Sequence, residues 1–161
     1  MANEILVKVA DLRAAAADDV LVTLGLGSCI AIALYDPQAR VGGLSHVLLP
    51  SKSLSRTCQT PGRFPQSAVP TLVSEMAALG ADPRRLTARL VGGAAMFANL
   101  GPSGSVQMGD RNVIAAREVL HTHAIPVTGE AVGGSLGRSV WFHLADGRLL
   151  LRSVGQGEQA L

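Results

Sequence analysis

Residues 23–50 read TLGLGSCIAIALYDPQARVGGLSHVLLP: a glycine-rich stretch, an apolar run, an Asp-Pro pair and a second apolar run. Asp36-Pro37 is a turn signal, because proline presets φ and an aspartate side chain can hydrogen-bond the backbone that follows. The β-branched content before it, around residues 21–24, favours extended chain. The stretch therefore reads as strands over residues 21–24, 30–36 and 41–50, the last two folded on one another about Asp36-Pro37, with a GLGS turn leading into Cys29. Strands joined by tight turns rather than by helical crossovers point to a strand-rich α/β domain.

The same reading extends to both sides. Over residues 4–9, Ile5, Val7 and Val9 alternate with Glu4, Leu6 and Lys8, the period of a half-buried strand. Downstream, Val69, Leu72, Val73, Met76 and Leu79 follow the three-and-four spacing of an amphipathic helix over residues 67–79, with Gly80 as its stop. Asp82-Pro83 turns the chain into a strand at residues 86–91, which Gly92-Gly93 ends. A loop rich in Gly, Pro and Ser follows, up to Asp110, read as the N-cap of a second helix over residues 112–121. The remaining segments, IPVTGEAVGG, SLGRSVWFHLADG and RLLLRSV, read as strands joined by glycine turns, with Asp146-Gly147 a hairpin signal.

Length and composition bound this picture. A chain of 161 residues with 48% hydrophobic and 16% charged residues fits one domain, residues 1–161, able to bury a core without staples. No apolar run approaches the roughly 18 residues of a membrane span. The start, MANEILVKVADL, lacks the cationic opening and unbroken apolar run of a secretion signal, so a cytoplasmic location and reduced thiols are expected for Cys29 and Cys58. A net charge of +2, spread along a chain that is 3% aromatic, offers no basic stripe or stacking platform for nucleic acid.

Cys29 is either core filler or a nucleophile. A buried free cysteine is commonly a small hydrophobe; to do chemistry, its thiol needs a neighbour that takes its proton. His46 is the natural partner to test, because a cysteine at the start of one hairpin strand and a histidine toward the end of the next are brought near each other. Gly25 and Gly27 allow positive φ and leave little bulk around the Ser28 and Cys29 amides, which could face an oxyanion. Thr23, on the strand entering the turn, offers a hydroxyl to orient the imidazole. The bland alternatives are a satisfied core histidine and an ordinary strand threonine. Cys58 reads as an incidental loop thiol and His143 as structural or surface. His121 and His123 invite a metal reading, but they close a predicted helix, where such side chains suit the terminal carbonyls. The glycine pairs at 92–93 and 133–134 lack the context of a dinucleotide fingerprint, and neither metal nor organic cofactor is expected.

The motifs together carry a resemblance. Residues 23–29 (TLGLGSC), 33–37 (ALYDP) and 42–50 (GGLSHVLLP), then LVGGAAM from Leu90, MGDRN from Met108 and VGGSLGR from Val132, with Phe142 and Gly147, resemble the chemoreceptor glutamine deamidase family, CheD, in the family's order. The resemblance implies a layered α/β sandwich of mixed and antiparallel sheets, related to bacterial toxin deamidases. It implies a cysteine hydrolase that converts glutamine side chains on the cytoplasmic region of methyl-accepting chemotaxis receptors to glutamate, releasing ammonia, without a cofactor. Its catalytic cysteine, histidine and threonine fall on Cys29, His46 and Thr23, and the glycine turn read above adds Gly27 and Ser28 beside the oxyanion. A CheC-type phosphatase is the implied partner in organisms that have one. A glutamate methyl ester asks for the same steps, so methylesterase side activity is expected too. Pro65 and Gln66 depart from the aromatic and acidic residues expected before the first helix, and Ala131 replaces an acidic one. The rival readings are a regulatory binding module that docks on a phosphatase or receptor without chemistry, and a general cysteine peptidase.

Overall fold

A computed structural model of the chain describes residues 3–55, 60–95 and 107–161. Among these residues ten strands and two α-helices follow in the order β1 (Glu4–Leu6), β2 (Leu12–Ala16), β3 (Val20–Leu26), β4 (Ile30–Asp36), β5 (Val41–Val47), α1 (Pro65–Ala78), β6 (Thr87–Gly92), α2 (Met108–Thr122), β7 (Val127–Val132), β8 (Arg138–His143), β9 (Leu149–Ser153) and β10 (Glu158–Ala160).

The strands form two five-stranded mixed sheets, β1-β3-β8-β9-β10 and β2-β5-β4-β6-β7. Hairpins join β4 to β5, β8 to β9 and β9 to β10, whereas β1 runs parallel to β3 and β6 parallel to β7. The parallel β6–β7 pair needs the crossover that α2 supplies, since a tight turn cannot return a strand in the same direction.

β4 shows how the layers are stacked, for all seven of its residues are buried. Ile30, Ile32 and Leu34 point into one cluster with Leu72, Met76, Ala116 and Leu120 of the helices. Ala31, Ala33 and Tyr35 point into a second cluster with Leu21 and Phe142 of the other sheet and Leu144 just after β8. The central sheet thus separates two apolar layers, and the order is sheet, sheet, helices: the layered α/β sandwich that the sequence led us to expect. Adjacent glycines let both layers close on β5. A Cβ at Gly42 would strike Leu144, and one at Gly43 would lie 2.9 Å from Leu72.

The hairpin turn is fixed by Asp36, whose buried carboxylate accepts from the Gln38, Ala39 and Asp82 amides and from Arg85. Although burial opposes ionisation, the Arg85 guanidinium and these amides hold the Asp36 carboxyl down at about 2.

Several boundaries differ from the expected ones. The glycine stretch is partly strand: β3 continues through a bulge to Leu26, which pairs with Arg138. The left-handed residue there is Gly25, at φ 69°, and not Gly27. α2 begins four residues early, with Gln107 at its N-cap and Asp110 inside its first turn. Pro65 opens α1 at the position that tolerates a missing N–H, and Gln66 Nε2 donates to the Pro50 carbonyl at 2.8 Å. Ala131 packs against the layer between the sheets. Gly80, at φ 104°, ends α1, and Gly147, at φ 77°, makes the β8–β9 turn, both as expected. His121 and His123 sit exposed at the C-terminal end of α2. Cys58 and Met96 lie outside the described residues.

Candidate active site

In the β4–β5 register Ala31 faces His46, so the residue two before Ala31 shares that side of the sheet. Cys29 indeed packs, half-buried, against the cluster between the sheets. It is the diagonal neighbour of His46, a relation that leaves long side chains within reach. Thr23 arrives from the opposite sheet, on the inward face of β3. The three expected residues therefore converge on one interlayer space.

The hydrogen bonds fix the chemistry of the imidazole. Thr23 Oγ1 lies 2.6 Å from the Val7 carbonyl and 2.7 Å from His46 Nδ1. A carbonyl only accepts, so the single hydroxyl proton is donated to Val7, and Nδ1 must donate to Thr23. The proton on Nδ1 leaves Nε2 with its lone pair. That atom is fully buried and has no hydrogen-bond partner among the described residues.

The His46 backbone is held as firmly. Its N–H donates to the Asp11 carbonyl at 3.1 Å, and its carbonyl accepts from the Ala10 N–H at 2.8 Å. Burial pushes the imidazole down to about 4, and burial pushes the Cys29 thiol above its ordinary value, against the pull of a backbone hydrogen bond. At neutral pH the pair thus rests as thiol and neutral imidazole, without an ion pair. No hydrogen bond joins the two at rest; in enzymes without substrate such contacts are often long and tighten on binding.

The turn before Cys29 is pinned through its carbonyls. Gly27 O accepts from Ala94 N–H and Cys29 O from Gly93 N–H, both at 2.8 Å. Ser28 O accepts from the Asn112 side chain, also at 2.8 Å. Among the described residues no turn, loop or cap bond uses the Ser28 N–H, and the backbone hydrogen bond that acts on the Cys29 thiol comes from the N–H of Cys29 itself. Gly92 is required close by: at φ 116° it lies so near that a Cβ would strike the Cys29 carbonyl. An open cleft of about 440 Å³ borders the same turn, with Gly25, Gly27, Arg138, Ser139, Trp141 and Arg152 in its wall. Arg152 lies over the Trp141 ring, 5.4 Å from its centroid.

Two participants were not anticipated. Val7 acts through its main-chain carbonyl, which no side-chain pattern marks. Asn112 had a signal: it is a polar residue on the buried face of α2, in line with Gly109, Val113 and Ala116. An uncompensated polar group on such a face costs stability, so it points to a specific partner.

Comparison with known proteins agrees with the resemblance read from the motifs. Residues 48–153 match the model of the CheD family, described as chemotactic sensory transduction. A probable chemoreceptor glutamine deamidase CheD of Caldanaerobacter subterraneus is 41% identical over 94% of this chain and 93% of its own length. One from Syntrophomonas wolfei is 38% identical over the whole of both chains. The probable chemoreceptor glutamine deamidase CheD 2 of Geobacter metallireducens is 42% identical over 97% of each.

Proposed function

This chain belongs to the CheD family, and on that premise we propose that it is a chemoreceptor glutamine deamidase, an amidohydrolase with Cys29 as nucleophile, His46 as base and Thr23 as the residue that orients the base. The observation that carries the reading is the Val7–Thr23–His46 chain, which puts the proton on Nδ1 and leaves Nε2 as a buried acceptor on the side of the sheet where Cys29 lies.

His46 Nε2 takes the Cys29 proton as sulfur attacks the glutamine carboxamide carbon. Because both groups rest neutral, proton transfer and attack proceed together. The oxyanion is met by the Ser28 and Cys29 amides beside Gly27, donors of a kind typically worth about 3 kcal/mol each. His46 then gives its proton to the departing nitrogen, the C–N bond breaks and ammonia leaves. The same imidazole activates a water, which attacks the thioester carbon; glutamate is released and the thiol restored. A glutamate methyl ester would pass through the same acyl-enzyme with methanol as leaving group.

The target is the cytoplasmic region of methyl-accepting receptors. The cleft beside the Gly25–Gly27 turn, with two arginines and a tryptophan in its wall, gives an extended partner a place to lie alongside the turn that leads to Cys29. No helix among the described residues is long and apolar enough to cross a membrane. Docking by a CheC-type phosphatase belongs to the same proposal.

Ammonia release from purified receptor cytoplasmic fragments tests it, with mass spectrometry to locate the gain of about one dalton at glutamine. Undiminished release by Cys29→Ala would overturn the mechanism. Binding without any release by the wild type would favour a docking module, and cleavage of the main chain a peptidase.

A further inference from the structure

Between Asp36↔Val41 and Ile30↔Val47 the hairpin is held by its ladder, but the chain segments carrying Cys29 and following His46 part where that ladder ends. Past Val47 the strand turns away, with the Leu48 and Leu49 N–H groups both donating to the Arg63 carbonyl at 3.1 and 3.2 Å. On the other side, the Cys29 and Gly27 carbonyls are taken by Gly93 and Ala94. The next rung, Cys29 opposite Leu48, falls in that gap.

One side chain spans it. Asn112 Nδ2 donates to Ser28 O at 2.8 Å and to Leu48 O at 3.2 Å. Both partners are carbonyls, so the amide orientation is settled and both hydrogens of one nitrogen are in use. The residue is fully buried, and its Oδ1 has no partner among the described residues. Such a group, retained against its desolvation cost, calls for an explanation beyond packing.

The helix that carries Asn112 is pressed on the same backbone. A Cβ at Gly109 would collide with the Gly93 and Ala94 carbonyls, and one at Gly93 would strike Val113. Gly109, Asn112 and Val113 lie on one face of α2 by their three-and-four spacing. The glycine pair at the end of β6 and the MGDRN segment thus form one assembly, which fixes where the amide sits.

We propose that Asn112 is a positioning residue that sets the distance between the Cys29 thiol and the His46 imidazole, gripping the backbone one residue before Cys29 and two residues after His46 with the two hydrogens of one amide. It acts from the helix side of the central sheet, through the Ser28 and Leu48 carbonyls, and touches neither substrate nor thiol. The inference rests on the thiol–imidazole reading above.

The test needs no receptor substrate. In a Cys58→Ser background Cys29 is the remaining thiol, because the chain holds Cys29 and Cys58 alone. Its alkylation by iodoacetamide is followed across pH in the parent, His46→Ala, Asn112→Ala and the double variant. His46→Ala should slow the parent at neutral pH. Asn112→Ala should move the profile to higher pH by about one unit, about tenfold in neutral-pH rate, and adding His46→Ala should then change little. Asn112→Asp, of the same size but without the two donors, should behave likewise, and near-ultraviolet circular dichroism identifies which of the two variants keeps native packing and is read. A natively packed variant that keeps the parent's profile and the full His46→Ala effect overturns the inference alone. A parent whose alkylation ignores His46→Ala overturns the thiol–imidazole reading, and this inference with it.

Discussion

Thr23 and His46 belong to different sheets and meet across the layer between them, with Thr23 Oγ1 2.7 Å from Nδ1. Because the same hydroxyl spends its proton on Val7, the contact selects a tautomer as well as an orientation.

Thr23→Val, similar in shape but without the hydroxyl, leaves Nδ1 unpaired and frees the tautomer. It should lower kcat for ammonia release by about a hundredfold, the lower end of what positioned proton transfer contributes, with KM little changed. Thr23→Ser should retain most of the activity. Steady-state kinetics on receptor fragments checks both.

The depressed His46 value has a consequence for acid stability. Between about 4, its folded value, and 6.5, its ordinary value, the unfolded chain binds the proton and the folded chain does not, so stability falls as pH drops through that window. The loss amounts to about 3 kcal/mol. Urea denaturation at several pH values should show this slope in the wild type and not in His46→Gln.

Asp36 governs a separate window. Its folded value of about 2 lies below the ordinary 3.8, so its contribution is complete above 3.8 and fades as pH falls toward 2. Asp36→Asn should remove about 2 kcal/mol at neutral pH and flatten the profile in that lower range alone. The same denaturation series separates it from His46.

Gly92→Ala should harm activity more than stability. The position combines a left-handed φ of 116° with direct contact to the Cys29 carbonyl, so an added methyl group displaces the nucleophile itself. The expected outcome is a large drop in kcat from a protein that still melts cooperatively, seen by pairing the assay with thermal unfolding.

Much of this was legible in the sequence because the signals were local. Asp36-Pro37 marked the hairpin, the spacing of Val69, Leu72 and Met76 marked α1, and Gly80 and Gly147 marked turns by requiring positive φ. β2, with the sequence LRAAA, has no alternation to read and is a strand because β5 needs a neighbour. The three-residue β10 is likewise set by pairing with β9. The parallel partners of β3 and β6 lie outside any local pattern. In the site, Cys29, His46 and Thr23 could be named as candidates from residue type and spacing, whereas the role of Val7 depends on a carbonyl that every residue possesses. Asn112 could be recognised only as misplaced polarity until its two acceptors were seen.

The placement of Thr23 on one sheet and His46 on the other makes proton transfer a gauge of how the layers mesh. Each sheet could keep all its own ladders while one slid over its neighbour by a single residue, about 3.3 Å, and the imidazole would lose its anchor. Such a molecule would look folded by its backbone spectrum and be chemically silent. A displacement of one sheet over the other would thus silence the reaction without touching the thiol.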